Sequence, residues 1–233
     1  MTNNIFRKNE KFEVYVSPTK PKNESSDSIH SPYYNWYNLT FKRIIDLAGA
    51  FGFMIFFGWW MFPIVAILIK LDSKGPVFFK QTRGGINNTT FNCYKFRSMK
   101  IEKEDDLKQA TKNDPRVTRI GRILRKTSID ELPQVFNVIY GNMSIVGPRP
   151  LIVAQNEEYS KKIKGYENRH LVKPGITGLA QIKGYRGETV LSHSIYFRYK
   201  LDIYYIKNWH PLFDIKIMLT TIKSLFEGDD MAY

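Results

Sequence analysis

The sequence predicts an α+β fold that is largely helical, has a small β element, and is held to a membrane by one apolar segment. Residues 47–69 carry no charged side chain and are rich in Phe and Trp, as expected of a membrane element. Residues 77–83 and 90–96 have the composition of two short strands that flank a Gly-Gly pair, which indicates a β-hairpin. Much of the remaining chain follows helical patterns of apolar and basic residues.

Composition limits the class of protein and its partners. The chain has 233 residues and 43% hydrophobic content, which suits one domain of moderate size or a domain with an appendage. The 35 Lys and Arg residues outnumber the 22 Asp and Glu residues, so the surface favours polyanions: nucleic acid, an anionic membrane leaflet or phosphorylated substrates. The single cysteine, Cys93, excludes an intrachain disulfide, and four scattered histidines argue against a zinc site.

The composition along the chain predicts three parts. Residues 1–40 form a polar N-terminal segment. The extreme N-terminus has no apolar stretch of the kind found in a secretory signal, so we do not expect one there. Residues 41–73 form the membrane element, and residues 74–233 form the globular domain with helices that can lie on the membrane surface. Cys93 is expected to be a small buried side chain within that domain.

Pro63 leaves the path of the apolar segment open. Residues 47–69 would form a helix about 35 Å long, enough for a hydrocarbon core of roughly 30 Å. Pro63 lies two-thirds of the way along and should break or kink such a helix. Both flanks are basic, and the positive-inside rule keeps basic flanks cytoplasmic. A spanning helix and a re-entrant hairpin bent near Pro63 are both consistent with the residues.

Helical pieces are predicted on both sides of the candidate chemistry. Residues 101–114 are charged without an apolar stripe, so we expect a surface helix or a mobile loop there. Residues 115–139 read as helical in pieces, with a basic stripe that favours an anionic partner over a merely solvated face. The stripe consists of Arg116, Arg119, Arg122, Arg125 and Lys126. Residues 194–226 read as basic amphipathic helix broken at His210-Pro211, suited to a membrane surface or to packing on the domain.

Two adjacent carboxylates, Asp130 and Glu131, form the candidate reactive centre. They follow the cationic pair Arg125-Lys126, and Pro133 comes directly after. Such a pair can hold a divalent metal, act as nucleophile, or act as acid and base. The alternative is a helix N-cap with Glu in the first turn, facing solvent.

Two Gly/Pro loops can present groups to an anion. In Gly147-Pro-Arg-Pro150 the prolines fix the backbone, so Arg149 is held in place and its guanidinium can match phosphate oxygens. Lys173-Pro-Gly-Ile-Thr-Gly178 is a second tight loop whose backbone amides can line a phosphate or sugar pocket. An ordinary exposed turn is the alternative for each loop.

Taken together and in order, these motifs resemble those of the bacterial sugar transferases, the monotopic polyprenyl-phosphate phosphoglycosyl transferases. The resemblance runs from about residue 41 to the C-terminus. It rests on the Pro-broken apolar helix, Gln81-Thr-Arg-Gly-Gly85, Lys95-Phe-Arg-Ser-Met99, Asp114-Pro-Arg-Val-Thr-Arg-Ile-Gly121, residues 125–134, Gly147-Pro-Arg-Pro150 and Lys173-Pro-Gly-Ile-Thr-Gly-Leu-Ala-Gln181.

The resemblance implies transfer of a sugar-1-phosphate from a UDP-sugar to undecaprenyl phosphate, with release of UMP, as the first membrane step of exopolysaccharide or O-antigen synthesis. Asp130 would be the nucleophile that carries a covalent phosphosugar. Glu131 would assist through Mg²⁺, which both carboxylates would bind, or as base for the acceptor. The phosphates would be bound by Lys95, Arg97, Arg125 and Arg149.

The resemblance also favours the re-entrant helix, broken at Pro63, with the domain on the cytoplasmic face of the bacterial inner membrane. Residues 184–189 and 204–216 look closest to members that use UDP-glucose or UDP-galactose. Anionic lipids are expected partners, a homodimer is a possible assembly, and no nucleic-acid partner is expected. The alternatives are the same chemistry with a UDP-N-acetylamino sugar and a non-catalytic membrane scaffold of a glycan assembly complex.

Overall fold

The computed structural model describes residues 31–100, 114–185 and 192–227. The described chain is mostly helical and contains two small two-stranded sheets, which confirms the predicted α+β class. Residues 1–30, nearly all of the predicted surface helix or loop at 101–114, and most of residues 184–189 lie outside the described residues. The division of the chain into three parts stays a prediction.

A single long apolar helix opens the described chain. It consists of α1 (Trp36–Phe53), a π-helical turn (Met54–Gly58) and α2 (Trp59–Asp72). These 37 residues are long and apolar enough to cross a membrane, and only 22% of their most apolar stretch is buried against the protein. The helix starts at Trp36, within residues 1–40, which were predicted to form a polar segment.

The helix continues through Pro63, so a break at this residue is not confirmed. Pro63 lies inside α2, and the π turn comes directly before that helix, with Trp59 N–H donating to Met54 O. Proline supplies no N–H and its ring clashes with the carbonyl four residues back, so a wider turn ahead of it is one way to relieve the strain. π turns and prolines are also the usual causes of helix bends.

Both ends of the long helix are tied to the domain. At its start, Lys42 forms a buried ion pair with Asp214 at 2.6 Å, and Asp46 accepts hydrogen bonds from Ser144 and from Ile145 N–H. At its end, the Asp72 carboxylate accepts from Ile120 N–H at 3.0 Å. Residues near both ends of the helix therefore contact the globular domain.

The two small sheets lie on either side of the candidate site in sequence. Strands β1 (Phe78–Gly84) and β2 (Thr90–Phe96) pair antiparallel, which confirms the predicted hairpin. Their connection is longer than the predicted Gly-Gly turn, because a 3₁₀ turn at Ile86–Asn88 is inserted. Strands β3 (Ser144–Val146) and β4 (Gly175–Thr177) pair in parallel and bring the two Gly/Pro loops together.

The helical pieces predicted for residues 115–139 and 194–226 are confirmed. The break predicted at His210-Pro211 separates the last two helices, and Pro211 is the first residue of α8, where its missing N–H costs nothing. The remaining helices are α3 (Arg119–Lys126), α4 (Gln134–Ile139), α5 (Val153–Lys162), α6 (Leu179–Ile182), α7 (Ser192–Lys207) and α8 (Pro211–Glu227).

The inner face of the long helix is part of the core. Phe62, Val65 and Ile69 are buried in one cluster with residues of β2, α3 and α4, and Cys93 lies fully buried in that cluster, as expected. A second cluster joins α7 and α8 to β3 around Tyr205 and Trp209. The segment that carries the two carboxylates runs between α3 and α4, directly on the first cluster.

Candidate active site

The segment that holds the two carboxylates is a strained turn. Helix α3 ends at Lys126, Ser128 adopts the left-handed conformation with φ of 57°, and Ile129–Glu131 form a single 3₁₀ turn. A non-glycine residue in this conformation costs free energy and persists only where its surroundings impose it. The reversal at Ser128 directs the chain inward, so Asp130 is buried rather than placed on a solvent-facing cap.

Asp130 is a buried carboxylate that receives no hydrogen bond or ion pair from the part of the chain that the structure describes. Asp130 is only 8% exposed. Burial, with a further contribution from the charge of Glu131, raises the pKa of Asp130 to about 6, although Lys95, Arg125 and Arg149 oppose the shift. At neutral pH the group is ionised and poorly solvated, which favours reaction or metal binding.

Glu131 differs from its neighbour because it is fully engaged. Its Oε1 accepts from Lys95 Nζ at 2.6 Å and from Arg149 Nη2 at 2.7 Å, and its Oε2 accepts from Arg149 Nη1 at 3.0 Å. Burial alone would raise the pKa of Glu131, but Arg149 and Lys95 outweigh it and hold the pKa well below the usual value. Strand β2 and the Gly147–Pro150 loop thus meet at one carboxylate.

The structure brings Arg125 near this cluster and keeps Arg97 elsewhere. Arg125, in the last turn of α3, is close enough to lower the pKa of Asp130. Arg97 is 3% exposed and donates to Lys74 O at 2.7 Å and Ser73 O at 2.6 Å, where it caps the end of the long helix. Among the described residues, Arg97 makes no hydrogen bond to Asp130 or Glu131. Its binding of phosphate stays a prediction.

The predicted arginine stripe divides into separate roles. Arg116 lies outside α3 and pairs with Asp114 at 2.6 Å. Arg119 and Arg122 are exposed on α3, beside the exposed Ile123. Arg125 alone of the four arginines enters the electrostatics of Asp130 among the described residues.

Comparison with known proteins identifies the family. The sequence model described as Bacterial sugar transferase matches residues 37–228, which is most of the chain. The chain belongs to this family.

Three similar proteins bear the same name, UDP-glucose:undecaprenyl-phosphate glucose-1-phosphate transferase. One from Escherichia coli (strain K12) is 54% identical over 159 residues, which cover 68% of this chain and 34% of that protein. One from Klebsiella pneumoniae is 47% identical and covers 81% of this chain and 40% of its own length. One from Caulobacter vibrioides is 44% identical, and the match covers 81% of this chain and 71% of that protein. The chain thus spans well under half of the first two relatives.

Sequence reasoning missed a second layer of charged residues in this bacterial sugar transferase. Arg83 lies in the motif Gln81–Gly85, which predicted no role for it. No local sequence pattern predicted a role in the site for Arg169, Arg198 or Asp202. Arg169 and Asp202 form an ion pair at 3.0 Å with both side chains almost wholly buried. Burial and the charges of Arg149 and Arg169 lower the pKa of Arg198 to about 10. These cations outnumber the carboxylates around them, which suits a polyanionic substrate.

The carboxylate pair fits a magnesium ion only when substrate supplies further ligands. No group of three or more His, Cys, Asp or Glu side chains with metal-binding geometry occurs among the described residues. Mg²⁺ commonly uses one or two carboxylates together with phosphate oxygens and water. The carboxylate of Asp130 has no partner to displace among the described residues, whereas Glu131 would have to share its oxygens with Lys95 and Arg149.

Proposed function

We propose that the chain transfers a sugar-1-phosphate from a UDP-sugar to undecaprenyl phosphate and releases UMP. UDP-glucose is the donor that we favour, because three relatives at 44–54% identity are named for it. Exopolysaccharide or O-antigen assembly would consume the lipid-linked product. The observation that carries the proposal is the buried Asp130 carboxylate, which accepts no hydrogen bond from any residue that the structure describes and lies beside a glutamate that binds two cations.

Asp130 is the nucleophile in this proposal. One of its carboxylate oxygens forms a bond to the sugar-linked phosphorus, and the bond from that phosphorus to the bridging oxygen breaks, so UMP leaves with the bonding electrons. An oxygen of undecaprenyl phosphate then forms a bond to the same phosphorus, and the carboxylate of Asp130 is released. Phosphoryl transfer of this kind depends on alignment and charge neutralisation.

Glu131 acts by holding cations rather than by taking a proton. Its low pKa makes it a weak base, because base catalysis is most effective with a pKa near the working pH. Lys95 and Arg149, fixed on Glu131, are placed to neutralise phosphate oxygens as UDP-sugar enters. Arg125 adds positive charge from the end of α3.

Magnesium would be held by Asp130 and Glu131 together with substrate phosphates. When bound, it would supply positive charge to the phosphate oxygens of the donor. Lys95 and Arg149 would keep Glu131 oriented while it shares its oxygens.

We further propose that the long helix is re-entrant, with both flanks on the cytoplasmic side. Phe53 and Phe62 support a bend, because their ring centroids are 6.2 Å apart. In a straight helix, residues nine positions apart are separated by about 13.5 Å along the axis. The ties of Lys42 and Asp72 to one domain also support it. The bend would centre on the π turn, rather than on Pro63 itself.

Cysteine labelling tests this topology. In a Cys93→Ala background, single cysteines are introduced at Asn38 and Lys74 and exposed to a membrane-impermeant maleimide in spheroplasts and in inverted vesicles. A re-entrant helix predicts labelling of both positions in inverted vesicles alone. Labelling of the two positions from opposite sides would establish a spanning helix.

UMP release tests the reaction. Purified protein in detergent is incubated with undecaprenyl phosphate, Mg²⁺ and each of UDP-glucose, UDP-galactose, UDP-N-acetylglucosamine and UDP-N-acetylgalactosamine. We expect release with UDP-glucose that EDTA abolishes. Release with an N-acetylamino sugar alone would change the donor, and binding of undecaprenyl phosphate without any release would favour a non-catalytic scaffold.

Radiolabel transfer tests the covalent step separately. UDP-glucose with ³²P in the sugar-linked phosphate should label the protein when acceptor is omitted, and added undecaprenyl phosphate should remove the label. Asp130→Asn should remain unlabelled, while Asp214→Asn, which keeps Asp130, should still accept label. Labelling of Asp130→Asn would contradict the assignment of the nucleophile.

A further inference from the structure

The loop that carries Arg149 has few hydrogen-bond donors of its own. Pro148 and Pro150 have no N–H to donate, so the loop contributes mainly carbonyl oxygens. Each of three consecutive carbonyls accepts a hydrogen bond from a different part of the protein. The donors are Gly175 N to Pro148 O at 3.0 Å, Arg169 Nη2 to Arg149 O at 2.7 Å, and Arg83 Nη1 to Pro150 O at 2.6 Å.

Arg169 is itself rigidly held. Asp202 of α7 accepts from its Nε at 3.2 Å and from its Nη2 at 3.0 Å, and the guanidinium lies 5.3 Å from the ring centre of Tyr166. The same Nη2 atom donates to the carbonyl of Arg149. Asp202 therefore sets the direction from which Arg169 contacts the loop.

Arg83 holds the other side of the loop from the β-hairpin. Its Nη2 donates to Gln81 Oε1 at 2.7 Å, and its Nε is buried without a hydrogen-bond partner among the described residues. Its backbone forms an isolated antiparallel bridge with Ile152, just beyond the loop. Burying a guanidinium on neutral oxygens costs free energy, so the contact of Arg83 with the loop is retained against a penalty.

We propose that Arg83 and Arg169 are positioning residues that act through the backbone of Arg149. They fix the carbonyls of Arg149 and Pro150, and the side chain of Arg149 is thereby held in its two-point contact with Glu131. This inference rests on the proposed function, in which Arg149 neutralises phosphate. A shift of about 1 Å in such a group costs on the order of 10²-fold in rate.

A double-mutant cycle distinguishes positioning from general stabilisation. Arg169→Lys keeps the charge but cannot bind Asp202 and the carbonyl in the same geometry. Alone, it should lower kcat by about 10- to 100-fold and change KM for UDP-glucose by less than about threefold. In an Arg149→Lys background the same substitution should lower kcat by less than about threefold, because the position of the guanidinium no longer matters. Arg83→Lys should behave in the same way.

Arg43→Lys is the matched control. Arg43 also donates from its guanidinium to two backbone carbonyls, Val138 O and Ile139 O, but at the end of α4. Arg43→Lys should change kcat by the same factor in the protein with Arg149 and in the Arg149→Lys variant. Equal losses from Arg169→Lys in both backgrounds would overturn the inference.

Two further measurements keep the test decisive. Thermal unfolding of each variant separates loss of folded protein from loss of turnover. If Arg169→Lys does not fold, Asp202→Asn loosens Arg169 without altering it and should give the same dependence on Arg149. Absence of UMP release by the unaltered protein with every UDP-sugar would refute the proposed function, whereas release with purely multiplicative losses refutes only the positioning role.

Discussion

Asp130 and Asp214 are both buried aspartates beside cations, yet their surroundings are opposite. Asp214 accepts from Lys42 at 2.6 Å, from the Tyr205 hydroxyl at 2.8 Å and from Trp209 Nε1 at 3.1 Å. Asp130 accepts no hydrogen bond from the described residues, although Lys95 and Arg149 lie on the adjacent Glu131. A carboxylate whose oxygens already accept hydrogen bonds, such as Asp214, joins elements of the fold. A carboxylate without them, such as Asp130, is available for chemistry.

The largest expected difference comes from one substitution made at both sites. Asp130→Asn should lower UMP release by at least about 10⁴-fold, because an amide cannot replace a carboxylate nucleophile. Asp214→Asn should leave turnover per folded molecule within about tenfold. Steady-state assays normalised to folded protein measure both. Near-normal turnover in Asp130→Asn would end the distinction between the two residues.

Stability should respond in the opposite order. Asp214→Asn leaves the Lys42 ammonium buried without its counter-charge, which costs about 3–5 kcal/mol. The double substitution Lys42→Met with Asp214→Leu removes both charges and should recover most of that loss. Thermal or denaturant unfolding in detergent measures the change. A loss below about 1 kcal/mol in Asp214→Asn would mean that the pair does not anchor the helix.

Asp130→Asn should stabilise the protein at neutral pH. The pKa of Asp130 is about 6 in the folded protein and near 3.8 when unfolded, so the unfolded chain releases this proton more readily. Above pH 6 the folded state therefore carries a penalty of about 3 kcal/mol, which fades as pH falls towards 3.8. Unfolding in EDTA should show Asp130→Asn more stable than the unaltered protein at pH 7.5 and nearly equal to it at about pH 3, below both pKa values. Equal stability at pH 7.5 would contradict the burial of an unpaired charge.

The smallest expected effect concerns the strained entry to the site. Ser128 has φ of 57°, where glycine is free of the steric cost that other residues carry, so Ser128→Gly should gain up to about 1 kcal/mol of stability. Thr127→Gly, at φ of −92°, should instead lose about that amount. Unfolding midpoints compare the pair. A loss from Ser128→Gly as large as the loss from Thr127→Gly would show that the left-handed turn stores no strain.

Local patterns in the sequence predicted most of the elements. The hairpin, the helical pieces around Asp130 and the break before Pro211 each depend on neighbouring residues, and each is confirmed. The start of the long helix was placed too late because Lys42 and Asp46 look like the polar edge of a membrane segment. Their partners, Asp214 and Ser144, lie far along the chain, so no local pattern reveals that both residues are buried.

The candidate site shows the same limit. Asp130, Glu131, Lys95 and Arg149 were named from motifs, and the structure brings them together. Arg97 was named with Lys95 because both lie in the motif Lys95–Met99, but β2 ends at Phe96 and Arg97 turns to the end of the long helix. Arg169 and Asp202 are 33 positions apart, and only the fold places them behind the Arg149 loop.

The shared core of the long helix has a practical consequence for anyone who wants a soluble version of this protein. Phe62, Val65 and Ile69 fill the same interior as Phe96 and Val138, so this helix is not a detachable tether. Cutting the chain at Ser73 would expose the interior wall behind β2 and α4 and invite aggregation. A water-soluble form would have to keep the helix and replace exposed apolar residues on its outer face with polar ones. These residues are Ile55, Phe56, Trp59 and Ile67.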